Sequence, residues 1–574
     1  MNHHQGRTEQ GRIPFRLRIG VTGHRRLDDE EALAGQVRRA LERVRDLLPT
    51  SPHTQVLLTV VSPLAEGADR LVTREVLKNE GADLEVPLPL PRKEYVRDFQ
   101  SGESKREFEE LLSWAREVVE LGPSESREEA YERVGRYVVD RCDVLIAVWD
   151  GQPSRGQGGT AEIVKYARGN EVQEPKSLLD YAVGFLRWCW TGTTREPTSA
   201  YIQRRRVPIF WIDTNGQHEI VEDLGNGINT VPFRQLDGYN CAKIASEQFE
   251  QQVDLREREL ATAAERSAVR LAPVRALSDW VSPYYVRADS LAQRYQTWYY
   301  ALGNAVFLLA AAAVAAAASQ VLFAPQTPEF VWIEVGLMVG LVLIVILGMW
   351  WRFHDRWLSY RFLAERFRSV FFLALSGLGG QRKSGVERVS LGHPSEEWLR
   401  RAYLEVWIRR PEAAVTESDV EGLREFLVEA WIQDQIKYHE KMSRKYHGRH
   451  HRLTRATEVL FGATILAALL HVFGAAGHVS PGSLSWATLF VLLAIALPAL
   501  GAAISAIRTQ REYSRNSERF RRMAHYLDGI SARLKTAPDM DTVREIAAEA
   551  EDLMLDENRD WFVVMRFHPI ELGV

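Results

Sequence analysis

Four long apolar runs in the second half of the chain constrain its fold more than any other feature. Residues 305–323 are apolar apart from Ser319 and Gln320. Residues 335–351 form an unbroken apolar run, extended outward by 330–333. Residues 459–477 are interrupted only by Thr464 and His471, and residues 484–507 carry no charge. A bilayer core requires about 20 residues of helix, so each run is long enough to cross it with some tilt. The alternative, buried core helices of a large soluble protein, struggles to supply four such runs in two pairs.

The flanks of these runs give an orientation. The turns inside the pairs, 324–329 and 478–483, contain no Lys or Arg. Arg352, Arg356, Arg361 and Arg366 follow the second run, and Lys441, Arg444, Lys445, Arg449 and Arg452 precede the third. Arg508, Arg511, Arg515, Arg519, Arg521 and Arg522 follow the fourth. Lys and Arg accumulate on the cytoplasmic side, which predicts a multi-pass protein of the inner (cytoplasmic) membrane with both termini in the cytoplasm. The string ERFR recurs after each pair, at 365–368 and 518–521, and suggests a duplicated unit of membrane hairpin plus basic helix. Ionisable residues inside the spans reduce to Glu334, Glu458 and His471, fewer than substrate carriage usually needs. The alanines of 310–318 permit close helix packing, and Pro498 is expected to kink the fourth span. Such spans suit assembly into a homo-oligomer within the lipid bilayer.

The first half reads differently. Residues 17–21, 56–61, 84–88, 118–121, 144–149 and 208–212 are short, β-branched and apolar, with helical patterns such as 31–48, 68–79 and 159–167 between them. That alternation predicts a parallel sheet with helices on both faces, whose ligands bind beyond the carboxyl ends of the strands. The fold class expected is therefore an α/β Rossmann-like N-terminal domain followed by an all-α membrane domain with four transmembrane helices and cytoplasmic helices. The expected boundaries are a disordered tail at 1–13, a nucleotide-binding domain at 14–240 and linker helices at 241–298. The first hairpin with its basic helix follows at 299–373 (spans 303–323 and 330–351), then a cytoplasmic helical segment at 374–455. The second hairpin with its basic helix takes 456–530 (spans 457–477 and 484–507), and 531–574 form a C-terminal cytoplasmic region whose end, 561–572, looks β-like.

The loops after the strands carry the candidate site. The first, T-G-H-R-R, offers Thr22, Gly23, His24 and Arg25: a glycine for close backbone approach and cationic donors for a phosphate. The second contributes Ser62, Glu66, Gly67 and Asp69 at the start of a helix, whose free amides favour anions. The third, rich in proline, ends in Arg92, Lys93 and an aromatic ring. The fifth supplies Asp150 and Gly151, then a glycine loop with Gly158, Gly159, Thr160 and Glu162 that opens a further helix. Together they point to a nucleotide-like ligand. No catalytic pair, metal set or cofactor is expected. The net charge of −4 over 574 residues argues against a general nucleic-acid binder. Cys142, Cys189 and Cys241 lack disulfide or metal spacing and fit a reducing compartment, and the polar first dozen residues form no cleavable signal peptide.

The segments IGVTGHRRL, SPLAEGADRL, LPLPRKEY and WDG…GQGGTAE, within 14–214, resemble the SLOG superfamily, the Rossmann-like group that includes DprA and the cytokinin-activating LOG proteins. The region from about residue 285 onward, through WLSYRFLAERFR and YSRNSERFRRMAHYL, resembles the SLATT membrane domains found with SLOG sensors in bacterial conflict systems. The resemblance implies a sensor for a nucleotide-derived second messenger, gating a membrane-permeabilising effector in antiviral abortive infection. It further implies a messenger-producing enzyme encoded nearby as a partner. LOG enzymes carry a catalytic glutamate three residues after the threonine of their glycine motif. Here that position is Ile163, and Glu162 falls one residue short, about 100° around a helix. This weighs against catalysis. Two alternatives remain open: a membrane-anchored nucleotide N-glycosidase or phosphoribohydrolase, and a constitutive ion channel with a regulatory soluble domain.

Overall fold

A computed structural model describes residues 11–153, 158–169, 206–215, 219–225, 227–378, 397–473 and 485–566. Most of the expected tail, Cys189, the start of the glycine loop, the turn 478–483 and the last eight residues lie outside this set. Packing divides the chain into two units, Ile13–Cys241 and Ala242–Val574 together with Met1–Arg12.

The first unit is a seven-stranded sheet: β1 Phe15–Gly23, β2 Val56–Val61, β3 Asp83–Leu88, β4 Ala115–Glu120, β5 Val144–Trp149, β6 Ile209–Asp213 and β7 Ile220–Asp223. The order is β4-β3-β2-β1-β5-β6-β7. All neighbours run parallel except β6 and β7. The central strands are apolar almost throughout because helices cover both faces, so alternation is lost. Leu17, Ile19, Val60, Val61 and residues 144–148 are buried almost completely. Polar groups of β1 reach neighbouring segments: the Arg16 guanidinium pairs with Asp83 at 2.6 Å, and the Arg18 backbone amide donates to Asp143 at 3.0 Å. Strand β7 is an addition to the expected set. Its four residues include Glu222 and Asp223, and such charges suit an exposed sheet edge.

The connecting helices are α1 Glu30–Asp46, α2 Ala68–Leu77, α3 Gly102–Ser113, α4 Arg127–Arg141 and α5 Thr160–Arg168. Asp29, Ser101 and Ser126 cap α1, α3 and α4 by accepting backbone amides, which explains why those helices begin where they do. Helix α6 (Val231–Asn240) completes the unit. The side chain of Asn240 accepts from the Ile13 amide at 3.0 Å and donates to the Ile13 carbonyl at 2.8 Å, tying the two ends of the unit together.

The second unit is helical: α7 Ser246–Arg266, α8 Leu271–Phe323, α9 Val331–Trp351, α10 Phe353–Leu375, α11 Glu397–Ile408 and α12 Val420–Phe426. A π-helical stretch, Leu427–Gln433, leads into α13 Asp434–Val472, and α14 Trp486–Gln510, α15 Tyr513–Lys535 and α16 Met540–Arg566 follow. Among the described residues, four helices are long and apolar enough to cross a membrane. In α9 the single buried residue is Val345, while Trp332, Met338, Leu343, Met349 and Trp350 stand more than half exposed. A soluble protein does not leave a patch of that extent in water, so these are not core helices. Two of the four cross the expected boundaries without interruption. Helix α8 runs 53 residues from the linker region to the end of the first span, and α13 runs 39 residues through position 455. The expected β-like end is corrected: residues 561–566 continue α16 as helix, with the Trp561 ring edge-on to Trp357 at 5.5 Å. An amphipathic spacing of Trp561, Phe562 and Met565 serves a helix face as readily as a strand.

Candidate functional site

Strand order reverses between β1 and β5. Right-handed crossovers then carry the chain from these neighbours to opposite faces of the sheet, and a crevice opens between their ends. Gly23 closes β1. A Cβ there would stand 2.5 Å from both the Ala68 Cβ and the Val148 carbonyl oxygen, so only glycine lets the strand end lie so deep. The His24 amide donates to Val148 O at 3.0 Å and prolongs the β1–β5 ladder past the glycine. This places the His24 Nε2 atom 3.1 Å from Asp150 Oδ1 and 3.2 Å from the Asp150 amide nitrogen, joining the two loops that flank the crevice. Burial tends to raise the Asp150 carboxyl, but the Gln152 amide and His24 outweigh it and hold Asp150 below its ordinary value. Thr22, paired in register with Ala147, lies just inside the strand.

The loop after β2 folds against the first. Gly67 has φ +80°, and a Cβ on it would meet the His24 carbonyl oxygen at 2.4 Å. The following amide, Ala68 N–H, donates to that same oxygen at 3.0 Å. Ser62 is buried and its Oγ accepts the Leu64 amide at 3.1 Å. Asp69, in the first turn of α2, is 6 % exposed and accepts the Ala65 amide at 3.3 Å. Burial dominates its ionisation: it raises the carboxyl to about 7 despite the opposing pull of the Ala65 amide, Arg25, Arg70 and Ser62. Glu66 turns to α3 instead, where it accepts the Ser104 hydroxyl.

Arg92 is not drawn into this cluster. It is exposed, paired with Glu109 of α3, and its amide donates to Glu120 at the end of β4. The third loop contributes Tyr95, which is 1 % exposed and wedged against Phe99, Phe108 and Tyr131. Its hydroxyl is buried without a hydrogen-bond partner among the described residues. Burial raises the Tyr95 phenol, the Asp69 and Tyr131 charges add to this, and Arg25 and Arg70 oppose it. Tyr131 of α4 donates to Asp98, and its ring lies 5.2 Å beneath the Arg25 guanidinium. Arg70, 2 % exposed, fastens the second loop to α3 through Leu64 O, Ser104 O and Glu107. Tyr131 and Asp98 gave no motif signal because each comes from a helix or turn far away in sequence, and Arg70, though inside the EGADR segment, was not singled out. The aromatic ending of the proline-rich loop was the one legible trace of Tyr95.

Beyond β5, Gly151 (φ +76°) runs beside the Trp211 ring, and the Asn215 side chain donates to Asp150 O at 2.8 Å. In the glycine loop, Gly158 has φ +79° and packs so tightly on α4 that a Cβ would stand 2.8 Å from the Glu132 nitrogen. Gly159 precedes α5 as its N-cap, and Thr160 is its first residue. Glu162 bends back to accept the Gly158 amide at 2.7 Å, so this carboxylate braces the loop. Ile163 is 3 % exposed within the core cluster beneath α4 and α5. The position where a LOG-type glutamate would stand therefore faces the protein interior.

These two units define a membrane protein: a parallel α/β part with a polar crevice at its order switch, and a helical part with four bilayer-length helices. Residues 428–561 match the family described as SMODS and SLOG-associating 2TM effector domain 1. The match covers the π-helical stretch, α13, α14, α15 and most of α16, so this part of the chain is similar to a membrane effector domain. No curated protein matches the chain.

Proposed function

We propose that this chain is a ligand-gated membrane effector of bacterial antiviral defence. Its SLOG-like α/β part senses a nucleotide-derived messenger, and its SLATT-like part permeabilises the inner membrane, acting as a homo-oligomer with both termini in the cytoplasm. The observation that carries the reading is the convergence of the TGHRR, EGADR and DG loops on the β1–β5 crevice, in a chain whose other part matches a membrane effector family. Arg25 and the amides opening α5 would take the phosphate, and Asp150, fixed against His24, would take a sugar hydroxyl. Gating requires the ligand to bind the open state better than the closed one.

The observation favouring an enzyme instead is Asp69, a carboxyl raised to about 7 beside an unpartnered phenol, the poise of a general acid. Glu162 would not serve, since it is occupied with the Gly158 amide. Dye-loaded liposomes carrying the purified protein separate the readings. Leakage on adding one nucleotide, cyclic oligonucleotide or ADP-ribose derivative, recovered intact and ineffective on Arg25→Ala, is the expected result. Consumption of a compound without leakage would replace the effector by a membrane-anchored hydrolase, and leakage without any ligand by a constitutive channel.

A further inference from the structure

On the basic side of the hairpins, α8, α10, α13, α15 and α16 enclose a cavity of about 180 Å³. Six cations line it, against Glu365 and Glu557. Arg361 and Arg368 pair with Glu365, and Arg519 with Glu557. Lys445, Arg449 and Arg511 also line the cavity, and none has a carboxylate within ion-pair distance among the described residues. Arg511 is 5 % exposed. Its Nη2 donates to Tyr300 O at 3.0 Å and Asn304 Oδ1 at 3.2 Å, and its guanidinium lies 3.8 Å from the centre of the Tyr300 ring. Its Nη1 is buried with no hydrogen-bond partner, as is His439 Nδ1 on the same cavity. Burial above all pulls His439 down to about 4, opposed by Glu365 and aided by Arg368, Arg361 and Arg519.

A buried cation without a counter-charge carries a desolvation penalty, so an anion entering this cavity would relieve a penalty the fold already carries. Arg511 immediately follows α14, and Arg449 lies on α13 ten residues before the apolar run that begins at 459. At 1.5 Å per residue Arg511, four residues past the apolar run that ends at 507, lies about 6 Å from the apolar core, the depth of lipid headgroups, and Arg449 lies about 15 Å from the run that begins at 459. We propose that this cavity is a binding site for a phosphate group, with Arg511 Nη1 as the buried donor and Lys445 and Arg449 neutralising the charge. Guanidinium donors match phosphate oxygens in geometry. An acidic phospholipid and a soluble phosphate ester present the same group.

The experiment uses the full chain in nanodiscs. One arm compares phosphatidylcholine with phosphatidylcholine–phosphatidylglycerol discs and reads retained phosphatidylglycerol by native mass spectrometry. The other titrates inorganic pyrophosphate into phosphatidylcholine discs by calorimetry. Binding in either arm, weakened about tenfold per cation removed in Lys445→Gln/Arg449→Gln and unchanged in the exposed control Lys441→Gln/Arg444→Gln, is the expected result. The arm that responds identifies the source of the phosphate. Lys445 and Arg449 reach the cavity from the surface of α13, so the test does not depend on altering the packed Arg511. No binding in either arm, or equal binding by both double variants, overturns the proposal.

Discussion

Gly67 is demanded twice, by its backbone angle and by the His24 carbonyl that occupies the place of a Cβ. Gly67→Ala is therefore expected to cost about 1–3 kcal/mol and to separate the first two loops. Thermal unfolding followed by tryptophan fluorescence would read the loss, and an unchanged midpoint would refute the account. Asp69 makes a prediction of the opposite kind. Unfolded, its carboxyl titrates near 3.8; folded, it titrates at about 7. Below pH 4 it is protonated in both states. Between about 4 and 7 only the unfolded chain ionises, so the native state loses stability as pH rises, by roughly 4 kcal/mol in full. Asp69→Asn should gain on the wild type across that window, and a constant difference between pH 4 and pH 8 would rule this out. The glycine positions of the site could be read directly from the sequence, because a turn with a positive φ selects for glycine. The raised Asp69 could not, because its burial depends on packing against distant segments such as the one that carries Tyr95.

Each membrane hairpin leads through one residue in the left-handed conformation into a 23-residue helix. Arg352, φ 49° and ψ 42°, separates α9 from α10, and Glu512, φ 44° and ψ 42°, separates α14 from α15. The ERFR strings do not coincide in this frame. The first begins 13 residues past its kink and the second 6, a difference of two turns that preserves the helix face. Their surroundings differ as well. Arg366 and Arg519, the second residues of the two strings, both pair with glutamates of α16, but Glu365 and Arg368 are largely buried whereas Glu518 and Arg521 are exposed. The repeated architecture is thus plainer in the backbone than in the string that first suggested it. Side chains other than glycine pay about 1–2 kcal/mol for the left-handed conformation. Glu512→Gly should accordingly be neutral or mildly stabilising, and Glu512→Val destabilising by about 1–2 kcal/mol. Melting curves of the detergent-solubilised chain would decide, and equal effects of the two substitutions would contradict the kink.

For the whole molecule, the charge asymmetry of the flanks predicts which side each loop faces. Among the described residues Cys241 is exposed and Cys142 buried, so with Cys189 replaced by Ala, Cys241 reports which side the α/β part faces. In spheroplasts, an impermeant maleimide is expected to label Gln326→Cys, in the turn between α8 and α9, and to reach Cys241 only after permeabilisation. Labelling of Cys241 in intact spheroplasts would reverse the orientation. The proposed gating adds a second expectation at this scale: ligand-triggered leakage that disappears in Arg25→Ala while the protein remains folded and inserted.

Sequence alone determined the two kinds of environment in this protein. Four uncharged runs of bilayer length can be stable only in lipid or at large cost in water, and short β-branched runs between helical segments can bury their backbone only in a parallel sheet. These are local properties of composition and period. Tertiary structure alone decided which strand-end loops share a crevice, since that depends on the order β4-β3-β2-β1-β5-β6-β7 and not on order along the chain. It gathered His24 with Asp150 and Arg25 with Tyr131, and left Arg92 with Glu109. It also set Arg511 beneath the spans without a counter-charge. A side chain's partners, and hence its charge state, follow from contacts between residues hundreds of positions apart, which no local pattern encodes.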